Sequence, residues 1–228
     1  LPCLTPQTTL LEVGASAGQF LHSLIDKVSL INAIELDVDC AEFLSNNFSI
    51  DVDTNYLENS KFSTTVYDVV CCFQVIEHTP DPSAFLKSLL SSVKKGGYLF
   101  LEFPNLNDPL LAAWNVPTYK TFFYHSAHLQ YFTASSIRKT CAKLDIPQDK
   151  ISIHFTQDYN LLNHINWILN DGPQSDCRVG LSDITIQGKN SELSSWLSTQ
   201  LSELDLAYKI KLSELGLTSN IMVVIENV

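Results

Sequence analysis

The sequence predicts an α/β fold, in which strands alternate with helices along the chain. One observation is the apolar run at residues 10–13, which leads through two glycines into a helical pattern. Another is the apolar run at residues 67–75, typical of a strand buried on both faces. The chain has 228 residues, 45% apolar and 17% charged, which suits one domain or one domain with a sizeable insertion.

The loop after the first strand has the features of a ligand-binding turn. Gly14 and Gly18 follow Glu12, the acid near the end of the strand. Glycine lets the backbone come close to a ligand, and the amides that open the next helix favour a carboxylate or phosphate. A tight turn between strand and helix, with no ligand, is the alternative that these residues leave open.

The spacing of the glycines separates the classes of nucleotide ligand. A dinucleotide fingerprint has glycines at relative positions one, three and six. The third and sixth positions here are Ser16 and Gln19. The sequence also lacks the phosphate loop that ends in Gly-Lys-Ser/Thr. A nicotinamide-dependent oxidoreductase is therefore disfavoured.

A second strand is predicted at residues 30–35 and ends on Glu35. An acid at this strand tip accepts hydrogen bonds from two ribose hydroxyls in nucleotide-binding folds. The alternative is a carboxylate that stabilises the next helix, which Asp37 and Asp39 open. We favour the ribose role because both motifs occur together.

The middle of the chain continues the alternation of strands and helices. A weak third strand is predicted at residues 49–53, and the central strand at 67–75 follows a polar stretch. Asp81 is a good N-cap for the next helix, and Lys94-Lys95-Gly96-Gly97 is predicted to end it. Residues 98–103 then form the fifth strand.

These stretches resemble class I S-adenosylmethionine-dependent methyltransferases of the small-molecule type. The first motif of that family is an acid, one residue, glycine, three residues and glycine, as in Glu12–Gly18, with Ser16 replacing a middle glycine. The run YDVVCCFQVIEHTPDPSAFLKSLLSSVKKGGYLFLEFPN resembles the family's fourth strand, next helix and fifth strand. The resemblance implies a Rossmann-like, seven-stranded, mostly parallel sheet with an antiparallel last strand, plus a helical or irregular C-terminal insertion.

The resemblance also implies a cofactor, S-adenosyl-L-methionine, and a set of residues that bind it. The turn from Gly14 to Gly18 would receive the methionine portion, Glu12 its ammonium side and Glu35 the ribose. His78 is a candidate base, although we favour a structural role for it at the start of a helix. The full cofactor-binding set is Glu12, Gly14, Ala15, Ser16, Gly18, Glu35, Leu36, Leu57, Gln74, Val75 and His78.

Residues 107–132 form the most aromatic and least regular stretch of the chain. Binding residues concentrate in such segments beyond strand tips. We expect either a mobile lid that encloses an apolar or planar acceptor, or a hydrophobic flap that covers a sheet edge. His128 and His125 are the candidate catalytic residues, as a base for an acceptor that must lose a proton.

The resemblance divides the chain into three parts. Residues 1–156 would form the cofactor-binding core, with the lid at about 107–132. Residues 157–216 would form an insertion with a long helix, and residues 217–228 the final strand. The leucines of this helix follow near-heptad spacing, which we interpret as intramolecular core, with a homodimer contact as the alternative.

The composition restricts the classes of molecule that the protein is expected to bind. A net charge of −11 with 14 Lys and Arg disfavours nucleic acid, so we expect a small-molecule acceptor. The six cysteines form no C-x-x-C pair, so we predict no metal site and reduced thiols in the cytoplasm. We predict no membrane span, and the missing initial Met suggests a fragment of a longer protein.

The sequence leaves two classes of function open. The first is an enzyme that transfers a methyl group to an O, N or C nucleophile of a small molecule. The alternative is a catalytically silent methyltransferase-like interaction module, which Ser16 and the long leucine-rich helix make conceivable.

Overall fold

A computed structural model describes residues 4–228 of the chain; Cys3, one of the six cysteines, lies outside the described residues. The strands are β1 (Thr9–Val13), β2 (Leu30–Ile34), β3 (Asp51–Asp53), β4 (Tyr67–Phe73), β5 (Val93–Pro104), β6 (Ile151–Thr156) and β7 (Asn220–Glu226). The helices are α1 (Gln19–His22), α2 (Val38–Phe48), α3 (Pro82–Ser91), α4 (Pro109–Ala112), α5 (Tyr119–Phe123), α6 (Ala134–Lys143), α7 (Leu161–Asn170), α8 (Cys177–Leu181) and α9 (Ser191–Leu215).

Within the described residues the strands form one seven-stranded sheet in the order β3-β2-β1-β4-β5-β7-β6. Strands β1 to β5 pair in parallel, each with its neighbour in this order. The end of β7 lies beside the start of β5, where Gly96 N donates to Asn227 O at 2.7 Å. The start of β7 lies beside the end of β5, where Asn105 N donates to Ser219 O at 2.9 Å. Strand β7 is therefore antiparallel to β5, and the predicted sheet is confirmed.

The core explains why the central strands read as apolar runs. In β4, Val70, Cys71 and Cys72 are fully buried, because helices cover both faces of a parallel sheet. One buried cluster joins Leu10 of β1 to Leu44 of α2 and to other apolar residues of the sheet and its first helices. This packing holds the loops at the carboxyl ends of the strands.

The chain divides into two compact units. Unit 1 contains residues 4–103, Ser135–Ile153 and Met222–Val228, and unit 2 contains Pro104–Ala134 and His154–Ile221. Unit 2 therefore holds the predicted aromatic segment, residues 107–132, and the whole of the predicted insertion, residues 157–216.

Two local predictions differ from the structure. After the first loop, an apolar stripe at helical spacing predicts a helix as far as Val28; its residues are Phe20, Leu21, Leu24, Ile25 and Val28. In the structure α1 ends at His22. The hydroxyl of Ser23 donates to Phe20 O at 2.8 Å, and Asp26 adopts a left-handed conformation, φ 65°. Both features favour turns over a continued helix.

The basic and glycine-rich segment after α3 was also misplaced by sequence reasoning. Helix α3 ends at Ser91, and Lys94-Lys95-Gly96-Gly97 belongs to β5. Lys94 Nζ lies 2.9 Å from Asp68 Oδ1, so this cation pairs with a neighbouring strand instead of the helix end.

Only part of the leucine stripe on helix α9 is buried. Leu212 is buried, whereas Leu193, Leu204 and Leu215 are each more than half exposed. The predicted packing of this stripe into the core therefore holds for Leu212 and not for the three exposed leucines. Among residues 4–228, no helix combines the length and the apolarity that crossing a bilayer requires.

Candidate functional site

The candidate cofactor site is a cavity in unit 1, at the carboxyl ends of β1, β2 and β4. Its volume is about 930 Å³. Strand order reverses at β1, because β2 lies on one side of it and β4 on the other. Ligands of open α/β sheets bind at such a switch point.

The loop after β1 takes its shape from residues with left-handed backbone. Gly14 has φ 81° and Gly18 has φ 78°, a region that side chains rarely adopt. A Cβ on Gly14 would lie 2.3 Å from Val75 Cγ2, and one on Gly18 would lie 2.3 Å from Leu44 Cδ2. Ser16 has φ 47°, a left-handed conformation that glycine adopts more readily than serine.

Glu35 ties the tip of β2 to this loop. One carboxylate oxygen accepts a hydrogen bond from Ser16 N at 2.6 Å, and the other accepts from Asp37 N at 2.8 Å. A carboxylate offers about four acceptor positions, so two remain for hydroxyl groups of a ligand. Glu35 therefore has a structural role at the start of α2 and is still able to bind ribose.

Glu12 is a buried acid beneath the loop. It is 3% exposed, and among the described residues its Oε2 has no hydrogen-bond partner. Burial, and then the charge of Glu35, raise its pKa to about 8. A buried carboxyl oxygen without a partner fits a cationic ligand group, because such a group would restore its pairing.

The segment between β3 and β4 supplies one wall of the cavity. The carboxylate of Asp53 accepts hydrogen bonds from Asn55 N at 2.9 Å and from Lys61 N at 2.6 Å. These bonds fold the intervening residues into a short turn. Buried Leu57 and largely exposed Tyr56 of this turn line the cavity.

The residues after β4 supply the opposite wall. Gln74 has a left-handed backbone, φ 58°, and its side chain donates to Glu102 at 3.3 Å. His78 lies in the one-turn helix Ile76–His78, and the N-cap of α3 is Asp81. His78 therefore lies before the start of α3, and it lines the cavity with Gln74.

The predicted cofactor residues divide into two groups. Those that line the cavity are Gly14, Ser16, Glu35, Leu36, Leu57, Gln74, Val75 and His78. The remaining three predicted residues do not line the cavity: Glu12 belongs to β1, and Ala15 and Gly18 belong to the loop after it. Sequence reasoning missed Cys40 as a lining residue, because it belongs to no recognisable motif, whereas the resemblance places an adenine-contacting loop near Tyr56 and Leu57.

The two predicted catalytic histidines lie together in unit 2. The ring centroids of His125 and His128 are 3.9 Å apart, and His128 N donates to His125 O at 3.1 Å. The ring of His128 also packs edge-on against Tyr131 at 5.7 Å. The turn and its aromatic neighbour thus hold both imidazoles in one place.

The aromatic segment has its own core in unit 2. Tyr119 packs edge-on against Trp167 of α7 at 5.0 Å, and both rings are buried with Phe123. Burial raises the pKa of Asp108 to about 7, although the Leu110 amide and the Tyr119 hydroxyl donate to its carboxylate. Sequence reasoning missed Asp108, which looks like an ordinary helix cap.

Fold and cavity together define a class: an α/β protein that binds a nucleoside-containing cofactor at the switch point of its sheet. The chain belongs to the methyltransferase domain family, whose model matches residues 2–145. The predicted class I S-adenosylmethionine-dependent methyltransferase family and its cofactor are thus confirmed.

A curated relative is the ubiquinone biosynthesis O-methyltransferase of Hydrogenovibrio crunogenus, 29% identical over 106 residues. The match covers 43% of this chain and 44% of that protein, so it spans less than half of the relative.

The solved structures confirm the fold. A SAM-dependent methyltransferase from Archaeoglobus fulgidus gives a TM-score of 0.58 at 14% identity, covering 99% of this chain and 89% of that one. A possible histamine N-methyltransferase from Thermotoga maritima gives 0.59 at 15% identity, covering 100% and 85%.

Proposed function

We propose that this protein is a methyltransferase that uses S-adenosylmethionine to methylate a hydroxyl oxygen of a small molecule. The observation that carries the proposal is the cavity at the switch point, with Glu35 at its rim. The choice of oxygen is supported by the name of the curated relatives, which are O-methyltransferases.

Residues of unit 1 would hold the parts of the cofactor. The turn from Gly14 to Gly18 would hold the methionine portion, Glu12 its ammonium group and Glu35 the ribose. The partnerless oxygen of Glu12 supports this assignment, because an ammonium group would pair with it. Leu57 would contact the adenine, and Gln74, Val75 and His78 would line the opposite wall. When bound, the cofactor supplies an activated methyl group.

Unit 2 would bind the acceptor. Its exposed rings, Trp114, Phe122 and Tyr124, offer an apolar surface to a planar molecule. Other rings of the same segment, Tyr119 and Phe123, are buried and anchor it. The lid at about 107–132 is part of this proposal, with its buried rings as the fixed end.

A hydroxyl acceptor requires a base, because the oxygen must lose its proton as the methyl group arrives. We assign this role to His128, with His125 as its neighbour. The ring contact at 3.9 Å supports the pairing, because a second imidazole restricts the orientation of the first. The protein otherwise acts by orientation and by exclusion of water.

The remaining sequence predictions on partners belong to this proposal. A small-molecule acceptor without nucleic acid agrees with the net charge of −11. The exposed leucines of α9 support a homodimer contact. A cytoplasmic location follows from the cysteine usage alone.

Two measurements test the proposal. Calorimetric titration with S-adenosylhomocysteine should show one site on the wild-type chain, and titration with NAD should show none. Methyl transfer from S-adenosylmethionine to catechol should then be lost in His128→Ala, while the affinity for S-adenosylhomocysteine is retained. Binding without transfer to any hydroxyl compound would favour the silent interaction module.

A further inference from the structure

A chain of hydrogen bonds inside unit 2 begins at Gln157. The side-chain oxygen of Gln157 accepts from Ser219 N at 3.0 Å, which fixes the amide nitrogen at the opposite position. That nitrogen donates to Tyr159 O at 3.2 Å and lies 3.3 Å from Nε2 of His164. Because an amide nitrogen only donates, His164 Nε2 accepts.

The role of the second imidazole nitrogen follows. A neutral imidazole carries one proton, so the proton of His164 is on Nδ1. This nitrogen lies 2.9 Å from the hydroxyl oxygen of Tyr208 and therefore donates to it. Burial lowers the pKa of His164 to about 4, although the charge of Asp205 opposes the shift, so the ring is neutral near pH 7. The direction of the bond is thus fixed.

The hydroxyl of Tyr208 receives a second donor. The indole Nε1 of Trp114 donates to the same oxygen at 3.3 Å. A tyrosine oxygen accepts two hydrogen bonds, so both positions are filled. Both of these hydrogen bonds therefore use the oxygen of Tyr208 as the acceptor and leave its proton unused. Tyr208 is half-buried, so its proton is available to a bound molecule.

The surroundings restrict the chemistry of that molecule. The ring of Trp114 is half exposed and offers an apolar face. Burial, together with the charges of Asp108 and Asp205, raises the pKa of the Tyr208 hydroxyl and keeps it protonated, and the same burial disfavours a charged ligand group. A neutral oxygen acceptor on a planar apolar body satisfies both conditions.

We propose that Tyr208 donates a hydrogen bond to a neutral carbonyl oxygen of a planar ligand, with Trp114 against the ligand's apolar body. His164 is a positioning residue, because it holds the hydroxyl as a donor through Nδ1. The inference rests on the proposed function only where it calls this ligand the methyl acceptor. Recognition of the carbonyl would make Tyr208 a specificity determinant.

A double comparison of ligands and variants tests the proposal on the full chain without cofactor. Acetophenone carries the carbonyl oxygen, and α-methylstyrene has the same shape with a methylene group in its place. We expect the wild-type chain to bind acetophenone about tenfold more tightly, as one hydrogen bond of about 1.4 kcal/mol predicts. Tyr208→Phe should make the two affinities equal. The matched control is Tyr98→Phe, a half-buried tyrosine of unit 1, which should keep the tenfold ratio.

Nuclear magnetic resonance of the tryptophan side chains gives a second measurement on the wild-type chain. Acetophenone should shift the indole N–H signal of Trp114, and the exposed Trp196 should serve as the unshifted control. Equal affinities in the wild-type chain, a tenfold ratio retained in Tyr208→Phe, or no binding of either compound would overturn the proposal. Neither measurement involves methyl transfer, so failure of the proposed enzyme activity would be seen separately.

Discussion

The site in unit 1 and the polar chain in unit 2 are built in different ways. The part of the site around Gly14 and Ser16 is a backbone turn, and the residues of this turn lie within a short stretch of sequence. In unit 2, Trp114 and His164 meet at Tyr208, which is 94 and 44 residues away from them in sequence. A backbone turn does not tolerate an added Cβ, whereas a side-chain network changes one group at a time.

The largest expected effect concerns the turn. Gly14→Ala should lower the free energy of unfolding by about 2–4 kcal/mol, because it combines left-handed strain with a clash against Val75. Gly96→Ala is the matched control, with φ +75° and nothing within 4 Å of the new Cβ. Urea unfolding of both variants measures the difference. Equal losses of unfolding free energy in the two variants would show that the contact with Val75 adds nothing to the cost of the left-handed backbone.

The next prediction concerns the rim of the cavity. Glu35→Ala should weaken binding of S-adenosylhomocysteine by about 1.5–3 kcal/mol, the usual range for hydrogen bonds to a charged group. An analogue without both ribose hydroxyls should be nearly indifferent to the change in a calorimetric titration. An equal loss for both ligands would show that Glu35 acts only through its bonds to Ser16 and Asp37.

The buried acid of unit 1 should make stability depend on pH. The pKa of Glu12 is raised from 4.5 to about 8, so the folded state binds more protons in this range. Its contribution to stability is complete below pH 4.5 and is lost as the pH rises through about 8. The free energy of unfolding of Glu12→Gln should therefore rise relative to wild type across this window, by up to about 1.4 kcal/mol per pH unit. A constant difference between the two proteins would contradict the prediction.

His164 of unit 2 should make stability depend on pH in the opposite direction. The pKa of His164 is lowered from 6.5 to about 4, so the unfolded state binds more protons between these values. The contribution of His164 is complete above pH 6.5 and is lost as the pH falls through about 4. His164→Gln should remove this loss in thermal unfolding measured at pH 4, 5 and 7. An equal loss of stability at acid pH in the wild-type chain and in His164→Gln would contradict this prediction.

The smallest effect should be a gain. Ser16→Gly should raise the free energy of unfolding by about 1 kcal/mol, because it removes a side chain from a left-handed position, φ 47°. Ala17→Gly is the control, because Ala17 does not have a positive φ and glycine there should lower stability. Stabilisation by both substitutions would contradict the role of backbone strain in this turn.

The sequence predicted the turn of unit 1 and did not predict the polar chain of unit 2. The turn from Glu12 to Gly18 and the tip at Glu35 were found because strand, acid and glycine spacing are local signals. Helix α1 was predicted too long, because the stripe of apolar residues does not report the bond from Ser23 to Phe20 O. The pairing of Lys94 with Asp68 was missed for a related reason, since cross-strand partners are distant in sequence.

The polar chain of unit 2 had no signal at all in the sequence. His164 lies on an amphipathic helix, where a histidine is an ordinary surface or core residue. Tyr208 belongs to the leucine stripe of α9, which predicts packing and not hydrogen bonding. Only the fold brings them to 2.9 Å, and only the orientation of Gln157 fixes which of them donates.

The interleaving of the two units also has a consequence for inheritance. Unit 2 consists of Pro104–Ala134 and His154–Ile221, separated by Ser135–Ile153 of unit 1. Trp114 is on the first segment, and His164 and Tyr208 are on the second. A recombination event that exchanged one segment with a homologue would leave the indole without its tyrosine. The proposed ligand preference would therefore pass from one member of the family to another only if both segments were exchanged together.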